Sequence, residues 1–210
     1  MRSLIWMAVG TLVGSWLYPS LLPSLVCCLI GAAALLLLGA LAFALMMGLA
    51  IAEAPDLLLN QMALNLALSL HTPGANHFMA AASRWGDLAV TLPLGLAVLI
   101  WFLARGQRRQ TGYWIAALAF GLVAAPLLQW LLQVPRPDIG LEGLSPWSFP
   151  SSHILRATVI YGFLAVCLAG AGTMPQAWRW LPYALAAMLA TTVAIARLYL
   201  GALWLTDVIG

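Results

Sequence analysis

Gln129-Trp-Leu-Leu-Gln-Val-Pro-Arg-Pro-Asp138 and, shortly after it, Ser148-Phe-Pro-Ser-Ser-His153 bracket the stretch that decides how this chain is read. It joins two long apolar segments. It sets Arg136 between Pro135 and Pro137, and it ends on one of the chain's 3 histidines. The chain is elsewhere almost free of charge, so an Arg, two serines and a His at one apparent membrane boundary form a candidate site. A second cluster, Arg197 to Asp207, follows two apolar segments later.

Composition sets the class. The 210 residues are 64% hydrophobic and 7% charged, against about 25% charged residues in a soluble domain. So few charges cannot coat a soluble globule of this size, and the chain reads as an integral membrane protein. All 9 positive charges are Arg, and the net charge of +3 is better read through the positive-inside rule than as a nucleic-acid surface. Cys27, Cys28 and Cys167 lie inside apolar runs without the spacing of a metal site or disulfide framework. Arg2 and the apolar run after it lack a small-x-small cleavage site, so the segment is expected to remain in the mature protein.

Hydropathy then orders the chain. Ser3 to Tyr18 is short for a span, and Pro19 and Pro23 separate it from the uncharged run Ser24 to Ala52. From Leu57 to Leu70, Gln61, Asn65 and Ser69 recur every fourth residue, one polar stripe on an apolar helix suited to the membrane interface. Asn76 to Asp87 reads as a polar interval. Leu88 to Ala104, Tyr113 to Leu132, Ile154 to Ala171 and Leu181 to Tyr199 read as spans. Arg105, Arg108 and Arg109 place the first intervening loop in the cytoplasm. Counting crossings from there puts both polar clusters on the outer side. The expected fold is all-α, a polytopic transmembrane helical bundle of about five to six membrane segments plus an interfacial helix. A full span over Ser3 to Tyr18 would put Arg2 outside, so that segment is re-entrant, interfacial, or a sign that the chain is a fragment.

The chemistry of the clusters points to an anion. Pro135 and Pro137 end the preceding helix and present Arg136 at a fixed place. Ser151 or Ser152 suits the N-cap of the following helix, whose free N–H groups and dipole favour phosphate. Arg197, at the outer end of its own helix, adds a second guanidinium fork. His153 in the first turn is placed to give or take a proton beside the bound group. Arg156, one turn later, either extends this cradle or snorkels to the interface. Trp16, Trp85, Trp130, Trp147, Trp178 and Trp204 lie near span ends, as an aromatic belt would.

The order and spacing of these residues resemble the type 2 phosphatidic acid phosphatase family, membrane lipid phosphatases related to bacterial undecaprenyl-pyrophosphate phosphatases. That family carries Lys followed seven residues later by Arg-Pro; then Pro-Ser-Gly-His; then Ser-Arg, His six residues after the Arg, and Asp four after that His. Here Arg136-Pro137 ends the first motif and Pro150-Ser151-Ser152-His153 nearly reproduces the second. Ala196-Arg197, Leu203 and Asp207 keep the spacing of the third. The likeness covers residues 24–210, with residues 1–23 left as a short apolar segment of unassigned role.

The resemblance implies metal-independent, cofactor-free hydrolysis of a membrane lipid phosphate or pyrophosphate, with no nucleic-acid partner. It places the site at the periplasmic face of a bacterial inner membrane. It gives phosphate binding to Arg136, Arg197, Ser151, Ser152 and position 129, and the role of general acid to His153. Asp207 would orient a histidine that attacks phosphorus and becomes a phosphohistidine. The departures matter as much. Gln129 replaces Lys, Ser152 replaces Gly, Ala196 replaces Ser, and Leu203 stands where the nucleophile belongs. A leucine side chain has no lone pair, so the expected outcome is phosphate binding with hydrolysis lost or impaired. A non-catalytic phospholipid-binding relative, and a transporter or structural subunit, are the alternatives. The family has one more helix after the Asp, so the chain is expected to lack its last helix.

Overall fold

A computed structural model describes residues 21–53, 57–137, 146–170 and 174–209. The chain divides into two compact units, Met1–Leu45 and Met46–Gly210. Among the described residues the first helix, α1, is Leu21–Glu53. Its stretch Ala33–Ile51 is long and apolar enough to cross a membrane. The short apolar segment 3–18 and Trp16 lie outside the described residues.

The second unit is helical throughout its described residues, apart from turns and one isolated antiparallel bridge, Pro135 with Trp147. Its helices are α2 (Leu58–Ser69), α3 (Pro73–Ser83), α4 (Leu88–Ala104), α5 (Arg108–Leu132), α6 (Ser152–Gly170), α7 (Leu181–Tyr199) and α8 (Leu205–Ile209). Candidate spans are Pro73–Ala104, Arg108–Leu132, Ser152–Gly170 and Gln176–Tyr199, which with Ala33–Ile51 makes 5 among the described residues. Lipid-facing positions explain why large apolar side chains such as Leu103, Phe120 and Ile195 stand exposed.

One sequence expectation changes here. Residues 76–87 are not a polar interval but mostly helix. Thr72 caps α3, its hydroxyl accepting from the Ala75 amide at 3.3 Å, and Pro73 occupies the first turn. A 3-10 turn, Arg84–Gly86, then leads into α4.

Helix α6 is central, packing against α4, α5 and α7. Phe102, Trp114, Leu118 and Ile160 form a buried cluster at the α4–α5–α6 junction, and Trp114 donates its indole N–H to the Gly95 carbonyl at 2.8 Å. Ala157, Tyr161 and Val193 form a second cluster between α6 and α7. The tight α4–α5 turn holds Arg105, whose guanidinium lies 5.5 Å from the Trp101 ring centroid. Because α4 to α7 alternate in direction, the start of α4, the α5–α6 connection and the segment after α7 gather at one end.

Helix α2 is fastened to that end. Asn60, buried on α2, donates to the Thr206 hydroxyl at 3.2 Å and accepts from the Thr206 amide at 3.2 Å. His71 Nε2 meets the Tyr199 carbonyl at 2.7 Å, and the Tyr199 hydroxyl donates to the Leu70 carbonyl at 2.7 Å. The polar stripe of Gln61, Asn65 and Ser69 faces away, exposed.

Candidate active site

Two of the sequence motifs are stitched together by backbone. Helix α5 ends on Gln133, which adopts the left-handed conformation (φ 51°, ψ 36°) and returns its N–H to the Gln129 carbonyl at 3.0 Å. The chain then runs extended, and residues 134–136 pair with 146–148: the Ser148 amide donates to the Val134 carbonyl at 2.9 Å and the Arg136 amide to the Pro146 carbonyl at 3.2 Å. The Arg136 guanidinium donates to the Trp147 carbonyl at 2.9 Å and also to the Ala202 carbonyl. The Trp204 indole donates to the Pro135 carbonyl at 2.8 Å. Trp204 is therefore a buried staple between the first and third motifs and not part of an aromatic belt. Trp85, Trp130 and Trp178 are exposed, as a belt requires.

Gln129, buried, donates its side-chain amide to the Pro150 carbonyl at 2.8 Å. It braces the turn that leads into α6. Ser151 caps that helix, its hydroxyl receiving the Ile154 amide at 3.5 Å. Ser152 is the first helical residue, and Gln133 is the only described non-glycine with positive φ. A side chain therefore replaces glycine at 152 without backbone strain.

Three guanidinium groups act electrostatically on His153. Arg136, Arg156 and Arg197 all lie within electrostatic range of its ring. Arg197 is 7% exposed, and its Nε has no hydrogen-bond partner among the described residues. Arg156, 8% exposed, does not snorkel; its Nε and Nη2 both donate to the Gly86 carbonyl at 3.3 Å. Burial pushes the Arg136 guanidinium down from its ordinary range, with the Asp207 carboxylate pulling it back up.

Asp207 is 2% exposed, with one oxygen accepting the Trp204 amide at 2.8 Å. Burial raises its pKa to about 6 against the pull of the Trp204 amide, the Ser148 hydroxyl and Arg136. The Ser148 hydroxyl also lies within donating distance of the Val134 and Pro135 carbonyls, at 3.4 and 3.3 Å. The second Asp207 oxygen, Oδ1, is buried without a hydrogen bond among the described residues. Leu203, four residues earlier, is 2% exposed and apolar.

The residue that sequence reasoning passed over is Asp87. Its Oδ1 lies 2.8 Å from His153 Nε2, with side chains 37% and 18% exposed respectively. The one available signal was an acid at the start of an apolar run. Among the described residues, no group of His, Cys, Asp and Glu is arranged to hold a metal ion.

With this geometry in place, three likenesses to known proteins converge. Residues 110–210 match the PAP2 superfamily. Phosphatidylglycerophosphatase B of Bacillus subtilis (strain 168) is 30% identical over 148 residues, which cover 69% of this chain and 71% of that protein. The crystal structure of the first transmembrane PAP2 type phosphatidylglycerolphosphate phosphatase, from Bacillus subtilis, has a similar fold. Its TM-score is 0.74 at 22% identity, over 82% of this chain and 86% of that one.

Proposed function

The chain belongs to the PAP2 superfamily, and from that premise we propose that it binds the phosphate of a membrane lipid phosphate or pyrophosphate where its three loops meet, without turning it over efficiently. The observation that carries this is the buried Arg197 Nε, which has no partner among the described residues, in the electrostatic company of Arg136, Arg156 and His153. A buried donor without an acceptor is costly, and among the described residues the carboxylates that act on the three guanidiniums are Asp87 and an Asp207 whose charge is disfavoured by burial. The site carries excess positive charge, and a phosphate group supplies both the countercharge and the acceptors.

Each side chain then has a role. Arg197 and the first-turn amides of α6 hold the equatorial oxygens. Arg136 fixes the loops and adds charge while its donors rest on carbonyls. Gln129 and Ser151 shape the helix start, and Ser152 contributes its amide. His153 protonates the leaving lipid oxygen as the P–O bond breaks. In the family's reaction an imidazole oriented by the aspartate attacks phosphorus first; here Leu203 stands in that place. By the positive-inside rule, the positive turn at Arg105, Arg108 and Arg109 supports a site at the periplasmic face of a bacterial inner membrane.

The test is phosphate release from phosphatidylglycerol phosphate, diacylglycerol phosphate and polyprenyl pyrophosphate, with vanadate binding in parallel. Phosphatidylglycerol phosphate comes first because the relative is named for it. The chain should bind vanadate and release little phosphate, whereas Leu203→His should gain turnover by about 10³-fold or more. Absence of turnover in both, with no vanadate binding, would leave the transporter or structural reading.

A further inference from the structure

The turn ahead of α4 is built onto the first turns of α6 by four separate contacts. Asp87 reaches His153 at 2.8 Å. The Gly86 carbonyl accepts two N–H groups of Arg156 at 3.3 Å each, and the Trp85 carbonyl accepts the Tyr161 hydroxyl at 2.6 Å. Gly86 itself fits where nothing larger does. A Cβ there would stand 2.9 Å from the His153 carbonyl oxygen, 3.0 Å from the His153 Cβ and 2.8 Å from Val193 Cγ1.

Asp87 also declines its ordinary local role. It is the N-cap of α4, and an aspartate there normally accepts an amide N–H from the helix's first turn. Its side chain makes no such bond; the capping carbonyl interactions come from its backbone oxygen, which receives the Val90 and Thr91 amides at 3.1 and 2.9 Å. The carboxylate is directed at the imidazole instead.

We propose that Asp87 is a positioning residue for His153, holding the ring through Nε2–H and setting a carboxylate against the imidazole in a pocket of three guanidiniums. The positive charges of Arg156 on α6, Arg197 on α7 and Arg136 on the α5–α6 connection all act on the ring. Asp87 answers them from the start of α4. With Nε2–H held by the carboxylate, Nδ1 is the ring nitrogen that carries the transferable proton. In the Leu203→His protein the introduced imidazole forms the new N–P bond as the P–O bond to the lipid breaks; the electron pair of that P–O bond goes to the lipid oxygen and the Nδ1 proton follows, while Asp87 keeps the Nε2 proton in place. The logic is that of an aspartate fixing a histidine's tautomer and orientation. The kinetic part rests on the phosphatase reading above; the geometric part does not.

The experiment separates the two. With only 3 histidines in the chain, long-range proton–nitrogen NMR of the ¹⁵N-histidine-labelled full chain in nanodiscs reads the His153 tautomer directly. The unaltered chain should show Nε2–H, Asp87→Glu should keep it, and Asp87→Asn should convert it toward a mixture. Nδ1–H as the dominant form in the unaltered chain overturns the proposal without any variant. In the Leu203→His background, Asp87→Asn should lower kcat by about 10²-fold, the scale of a mispositioned general acid, with KM changed less than about threefold, and Asp87→Glu should restore part of it. A rise in KM with kcat unchanged sinks the positioning role. If the Leu203→His protein shows no turnover, the phosphatase reading fails while the tautomer measurement still decides the role of Asp87.

Discussion

Asp207 titrates near 6 in the folded chain against an ordinary 3.8, with burial as the main cause. The folded state therefore holds this proton more tightly than the unfolded one. The resulting stabilisation is fully present below pH 3.8 and is lost as the pH rises through about 6. Asp207→Asn, which keeps an acceptor for the Trp204 amide, should raise the thermal midpoint at pH 7.5. The gain should be on the order of 2 kcal/mol, and the fall in stability between pH 4.5 and 7 should flatten. Thermal unfolding in detergent across that range checks it; an unchanged slope would put the pH dependence elsewhere. The same substitution in the Leu203→His background should instead cost activity, because a restored imidazole gives Oδ1 a donor and the carboxylate a function. Most of the site was legible at this scale. Arg136, Ser151, His153, Arg197 and Asp207 could be singled out as candidates because residue type and spacing are properties of the chain itself. The same holds for Leu203, whose chemistry no fold alters. His71 was visible as a histidine on the same side, but its hydrogen bond to the Tyr199 carbonyl, a fastening role, was not.

Among the elements, the 3-10 turn Arg84–Gly86 carries the most consequence per residue. Its close approach to α6 rests on Gly86, and Gly95 plays a similar part between α4 and α5. The two glycines differ in what opposes a methyl group. At Gly95 the neighbour is the rotatable end of Leu118, 2.5 Å from a built Cβ, and alanine gains up to about 1 kcal/mol of helix propensity. At Gly86 the neighbours include a backbone oxygen at 2.9 Å, which moves only if α6 moves. Gly86→Ala should therefore destabilise by about 1–3 kcal/mol and loosen the Asp87–His153 contact, while Gly95→Ala should be close to neutral. Comparing the two unfolding midpoints tests this, and equal losses would show that the turn is not the tighter joint. Helix α3 is the element the sequence reading missed. Its Asn76, His77 and Arg84 diluted the hydropathy, although Thr72-Pro73 is a good helix start.

For the whole molecule, alternation of the spans places the start of α4, the α5–α6 connection and the residues after α7 at one end, opposite the Arg105–Arg109 turn. Membrane orientation can be measured on this arrangement. In a chain with Cys27, Cys28 and Cys167 replaced by Ala, a cysteine introduced by Asn76→Cys should react with an impermeant maleimide in intact spheroplasts. One introduced by Gln107→Cys should react only after lysis. The reverse pattern would turn the site toward the cytoplasm.

The sequence by itself determined the membrane class, the helical fold, the order of most spans and the family that the two clusters point to. Hydropathy, charge asymmetry and motif spacing are local and survive without coordinates. Only the tertiary structure decided that Arg136 spends donors on the Trp147 and Ala202 carbonyls, that Trp204 is a staple, and that Asp87 holds His153. Those contacts join residues far apart in the chain, as with Arg156 and Gly86, 70 positions apart. They exist because helices pack closely enough at one glycine for a carboxylate to reach an imidazole, and no local pattern encodes that distance.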